Sequence, residues 1–124
     1  MRINELVEQA HKGAKKNGFW GKSPEVGTSL MLIVSELGEA IEAHRNDKIT
    51  HKGMFDELNL KMGQNSAFES IFRSAVKDTF EDELADAVIR IADLCGAMNI
   101  DLQKHIELKL KYNETRPYKH GKKY

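Results

Sequence analysis

Several things are scarce in this chain, and each scarcity removes a class of protein. Cys95 is the only cysteine, which excludes an internal disulfide framework and a cysteine zinc cluster. It falls on an apolar helical stripe and reads as a small core residue. The longest apolar run, Leu30 to Val34, is far short of the roughly 20 residues that span a bilayer. Met1 to Gly13 holds no apolar segment of the kind a signal peptide uses. These absences predict a reducing, cytoplasmic setting and no membrane partner. Formal net charge is zero, with 19 bases against 19 acids. That weighs against a general nucleic-acid binder, whose mark is a basic excess. The two prolines, Pro24 and Pro117, both punctuate.

What remains is the composition of an ordinary globular domain, 40% hydrophobic and 31% charged in 124 residues. One domain over 1–118 is expected, followed by a basic tail at 119–124. Helical periodicity predicts a first helix over Ile3 to Lys16, closed by Asn17-Gly18. Ser23-Pro24 reads as an N-cap and first helical position for a second helix ending near Arg45. In that helix Leu30, Val34, Leu37 and Ile41 form one inward stripe. Asn46 to Gln64 lacks a pattern and is expected to be loop, within an insertion over 46–77 that includes a short helix from Ser66 to Ser74. A long helix is predicted from Val76 to Met98, with Phe80, Leu84, Val88, Ile91, Leu94, Cys95 and Met98 inward. Asn99 ends it, and Asp101 caps a last helix to Glu114. No segment has strand periodicity. The expected fold is all-α, a bundle of about four long helices.

Zero net charge hides an asymmetry. Asp78 to Asp101 carries seven acids and one base, Arg90, whereas Lys104 to Tyr124 carries seven bases and two acids. Solvated faces would account for this, as would a cation site beside a polyanion site. Within the acidic stretch, Glu83-Leu84-Ala85-Asp86-Ala87 nearly repeats Glu36-Leu37-Gly38-Glu39-Ala40. Acids three apart on a helix repel slightly, so writing the phrase twice is not a free surface choice. If the two helices pack through their stripes, Glu36, Glu39, Glu83 and Asp86 gather at one edge of the contact, with Gly38, Ala40, Ala85 and Ala87 allowing close approach. Of the four acids only Asp86 has a base within a helical turn, Arg90. A divalent cation resolves such repulsion, and an all-carboxylate set suits Mg²⁺ or Mn²⁺ rather than zinc. A ferritin-type di-iron bundle wants Glu-x-x-His twice, and Glu8-x-x-His11 is the sole match. His44, His51, His105 and His120 show no ligand spacing.

"SELGEAIEA", "EDELADAVIRIADLCGAMNIDL" and "KLKYNETRPY" together resemble the MazG-like nucleotide pyrophosphohydrolases of the all-α NTP pyrophosphatase superfamily. The resemblance covers Leu30 to Arg45 and Asp78 to Tyr118, and leaves 46–77 without a counterpart. It implies Glu36, Glu39, Glu83 and Asp86 as catalytic Mg²⁺ ligands and Lys109, Asn113 and Arg116 as triphosphate contacts. It also implies cleavage of a nucleoside triphosphate to the monophosphate and pyrophosphate, by a homodimer or homotetramer. Phe19 and Trp20 stand just before the second helix, where Trp20 is a candidate to stack on a nucleobase and the pair could equally plug the helix start. Two other functions fit the same residues. One is a helical interaction module without chemistry; the other is a hydrolase of a different pyrophosphate-containing nucleotide.

Overall fold

The computed structural model describes residues 1–21 and 25–124. Among them are six α-helices and no strand: α1 (Ile3–Lys16), α2 (Val26–Arg45), α3 (Lys52–Lys61), α4 (Asn65–Ala75), α5 (Phe80–Ala97) and α6 (Leu102–Glu114), then a 3₁₀ turn at Tyr118–Gly121. The all-α expectation holds. Four helices are long, at 14, 20, 18 and 13 residues (α1, α2, α5 and α6). The expected Ser23-Pro24 cap lies outside the described residues; α2 follows Glu25, whose backbone is extended.

Local chemistry sets most boundaries. Gly18, at φ 81°, adopts the left-handed turn that closes α1. Asn99 does the same after α5 with φ 53°. Asp101 caps α6, its carboxylate accepting from the Lys104 amide at 3.1 Å. Two boundaries differ from expectation. The stretch 46–64 is not all loop, because His51 caps α3 by accepting from the Met54 amide at 3.2 Å. Its inward side is only Met54 and Leu58, one turn apart, too short a stripe to stand out as a period. The long helix starts at Phe80 rather than Val76. Asp78 takes φ 64° there, and the Thr79 hydroxyl accepts from the Asp82 amide at 3.3 Å, so a new cap interrupts the apolar run.

The chain forms two compact units, residues 1–24 with 92–124 and residues 25–91. In the first, Val7, Ala92 and Cys95 make a small core, flanked by Leu6, Ala10 and Leu102. A Cβ on Gly96 would stand 2.5 Å from the Cβ of His11, so only glycine lets α1 lie this close to α5. Asn4 joins α1 to the start of α6, donating to Asp101 at 3.0 Å and accepting from the Gln103 amide at 3.3 Å.

The second unit has its core between α3 and α4, where Leu58, Ala75 and Val76 are buried among Met54, Phe68, Ile71 and Phe72. Beside this hairpin, α2 and α5 run antiparallel: Glu36 meets Arg90, and His44, two turns later, meets Phe80 at the start of α5. The loop after α2 pins that start. Lys48 carbonyl accepts from the Phe80 amide at 2.8 Å, and the Glu81 carboxylate accepts from the Thr50 amide at 3.0 Å.

The buried residues of α2 and α5 are not the ones expected. Buried residues are Ile33, Glu36, Ala40 and Ala43 on α2, and Glu83 and Ala87 on α5. Leu30, Val34, Leu37, Ile41, Leu84, Val88 and Ile91 are instead 39–56% exposed, and Met98 is exposed too. Of the expected inward residues of α5, Cys95 is buried and Phe80 and Leu94 are half-buried. Across the two helices Arg90 reaches Glu36, and Glu83 stands with Glu36 and Glu39. Gly38 makes no close approach to the described residues, since a Cβ there would meet none of them within 4 Å.

Candidate metal centre

Three of the four expected acids come together. Glu36 and Glu39, one turn apart on α2, and Glu83 on α5 each offer a carboxylate oxygen within 4.8 Å of the others. Glu36 and Glu83 are buried and Glu39 is exposed, so the group opens to water on the Glu39 side. Asp86 is outside this trio, half-buried one turn beyond Glu83. It still feels the group, as Glu36 is among the charges acting on it.

Arg90 lies within a helical turn of Asp86, as its spacing gives, and its charge lowers that carboxyl; its Nε donates to Glu36 Oε1 at 2.6 Å, a partner the spacing did not reveal. Its being the only base between Asp78 and Asp101 was the available signal. Burial alone would raise the Glu36 carboxyl, but hydrogen bonds and charge from Arg90 bring it below its ordinary range. Glu83 has no such relief. Burial first, then the hydrogen bond with Glu36 and the charges of Glu39, Asp86 and Glu36, push it up to about 7. Hydrogen bonding with Glu36 and the charge of Glu36 raise Glu39. Burial first, then Asp82 and Glu36, raise Asp86.

Four carboxylates therefore share one guanidinium. The donor set is all oxygen, partly desolvated and under-neutralised, which fits a hard divalent ion such as Mg²⁺ or Mn²⁺. Among the described residues the histidines add nothing to it. His11 Nδ1 is 2.9 Å from Asp93 rather than paired with Glu8; His51 caps α3 and His44 packs edge-on to Phe80.

In the other unit, α6 carries the expected phosphate contacts. Lys109 Nζ lies 5.1 Å from the Tyr112 ring centroid and the Arg116 guanidinium 5.6 Å from it, so the two cations collect around one exposed ring. Asn113 Oδ1 is shielded from solvent and finds no hydrogen-bond partner among the described residues. Trp20 is fixed: its indole N–H donates to Asp93 at 2.7 Å, and its ring meets His11 edge-on at 5.6 Å. Phe19 is exposed. The Trp20–Asp93–His11 group was not foreseen, and nothing in the local spacing marks it.

No family model, curated protein or solved structure matches this chain. No helix among the described residues is long and apolar enough to cross a membrane.

Proposed function

We propose that this chain is a nucleotide pyrophosphohydrolase that uses a divalent cation, Mg²⁺ or Mn²⁺, to hydrolyse a nucleoside triphosphate to the monophosphate and pyrophosphate. The observation that carries the reading is the Glu36–Glu39–Glu83 group, three carboxylates within 4.8 Å, one of them pushed up to about 7. A partly buried carboxylate with a raised pKa beside other acids is a candidate functional group. The doubled acid phrase and the Lys109, Asn113 and Arg116 ending support it through their resemblance to MazG-like enzymes.

Glu36, Glu39, Glu83 and Asp86 would hold the cation, which when bound supplies positive charge to phosphate oxygens and acidifies an attacking water. Arg90 holds Glu36 ionised and oriented. As the resemblance implies, Lys109, Asn113 and Arg116 are assigned to the polyphosphate, and Trp20 is the candidate for the base. The working form is a homodimer or homotetramer in the cytoplasm.

One observation favours a second reading. The Glu36–Arg90 ion pair already neutralises one acid, as a helical interaction module that has no chemistry would require. A screen of common and oxidised (d)NTPs, with other pyrophosphate-containing nucleotides, decides between them. Pyrophosphate release that needs Mg²⁺ is expected. No release from any of these with either cation would reject the enzyme.

A further inference from the structure

We propose that Arg90 is a substrate-binding residue as well as the partner of Glu36. Anchored through Nε, it presents the two terminal amino groups of its guanidinium to the oxygens of a polyphosphate held at the acid group. This rests on the pyrophosphohydrolase reading of that site. The starting observation is a set of unused donors. A guanidinium carries five N–H donors in a planar fork, and Arg90 engages one of them, Nε to Glu36 Oε1 at 2.6 Å. Among the described residues no other group accepts from it. The Arg90 side chain is 37% exposed and that of Glu36 9%, so the arginine reaches from the solvent edge to a buried carboxylate.

A pair that served only to neutralise Glu36 would gain from using more of the fork. Arginine and carboxylate frequently meet through two parallel N–H···O bonds, which add energy and fix the geometry. Here Glu36 receives a single bond, from Nε. Arg73 on α4 shows the other arrangement, with a terminal amino group, Nη2, engaged by Glu69 at 3.0 Å. No described residue takes up either terminal group of Arg90, and those are the donors that suit a phosphate.

Placement is a separate argument. Glu83, Asp86 and Arg90 follow one another at spacings of three and four on α5, which puts them within about 60° on one face of the helix. Glu36 ties Arg90 to the same group from α2, and the Arg90 charge also acts on Asp86. Electrostatics then select the ligand. A polyphosphate adds negative charge beside four carboxylates, and a divalent ion offsets only part of the total. Arg90 is the only base in the acidic run from Asp78 to Asp101, so along this helix it is the one side chain that favours a second anion. Its planar fork matches two oxygens of a phosphate, which a lysine ammonium does not.

The probes are Mn²⁺ alone and the Mn²⁺ complex of inorganic tripolyphosphate, which carries the phosphate chain without base or sugar. Arg90→Lys keeps a positive charge beside Glu36 and removes the fork. Its melting temperature, and its Mn²⁺ affinity by calorimetry, should match the wild type. Tripolyphosphate should bind it roughly 10- to 100-fold more weakly, as the loss of a charge-assisted contact requires. Arg73→Lys, which alters a guanidinium already engaged by Glu69, should change neither affinity. In the unaltered protein, tripolyphosphate should shift the nitrogen NMR signals of the Arg90 terminal amino groups and slow their rotation, a measurement that needs no variant to fold. Full-strength tripolyphosphate binding by Arg90→Lys, or unmoved Arg90 signals, overturns the proposal and leaves the pyrophosphohydrolase reading standing. So does a variant that loses Mn²⁺ and tripolyphosphate equally, since Arg90 would then act through Glu36 alone. A wild type that binds neither probe removes that reading and the proposal with it.

Discussion

Replacing Glu83 by Gln tests the central electrostatic claim, that repulsion is stored at the α2–α5 contact. Glu83 is pushed from 4.5 to about 7, which at full strength corresponds to about 3 kcal/mol. Water enters from the Glu39 side and screens the group, leaving on the order of 1–2 kcal/mol. The unfolded chain loses this proton near 4.5 and the folded chain near 7, so the folded state holds more protons between those values. Metal-free stability must therefore fall as pH rises through that window, with the penalty complete above about 7. Glutamine keeps the shape and cannot ionise. Near pH 4 the variant and wild type should melt together; at pH 8 the variant should melt roughly 3–10 °C higher. Saturating Mg²⁺ should raise the wild type at pH 8 and the variant less. Melts at both pH values, with and without the cation, measure this. Parallel melting curves across pH 5–8 would refute the reasoning.

Five other substitutions probe the remaining parts. Glu39→Gln and Asp86→Asn should each abolish Mg²⁺-dependent turnover while circular dichroism and apo melting stay level or rise; unfolding would make these acids structural. Arg116→Ala should lower kcat/KM roughly 10- to 100-fold, about 1.5–3 kcal/mol for a charge-assisted contact, with Tm nearly unchanged. Unaltered kinetics would remove Arg116 from the substrate site. Arg90→Met leaves the buried Glu36 without its donor and should destabilise by about 1–3 kcal/mol at pH 8. Because Glu36 sits below its ordinary range, that loss should shrink towards pH 4 in denaturant titrations. Gly96→Ala places a methyl against His11 and should destabilise by about 1–3 kcal/mol, by the same measurement.

Elements governed by local chemistry were legible in the chain. α1, α6 and the end of α2 fall where Asn17-Gly18, Asp101 and the 3.6-residue period put them, because caps and turns act within a few residues. α3 was not legible, since His51 is an uncommon cap and two apolar residues make no stripe. The faces of α2 and α5 were misread for a different reason. Periodicity marks where large apolar side chains lie, but it cannot say what they are packed against. Here the chain buries the small residues and acids, and turns Leu37 and Val88 outward. The acid trio was legible as a repeated phrase, because both helices carry it at the same register. Arg90's partner was not, since it depends on which rotamer crosses to α2.

Trp20 is the chain's single tryptophan, and its indole is held by Asp93 and faces the His11 imidazole. Its fluorescence therefore reports on one unit alone, the one built from α1, the end of α5 and α6, whereas far-ultraviolet circular dichroism sums all six helices. In a single urea titration the two signals coincide if both units unfold together and separate if either yields first. The native sequence thus carries its own optical probe of cooperativity, with no label to introduce.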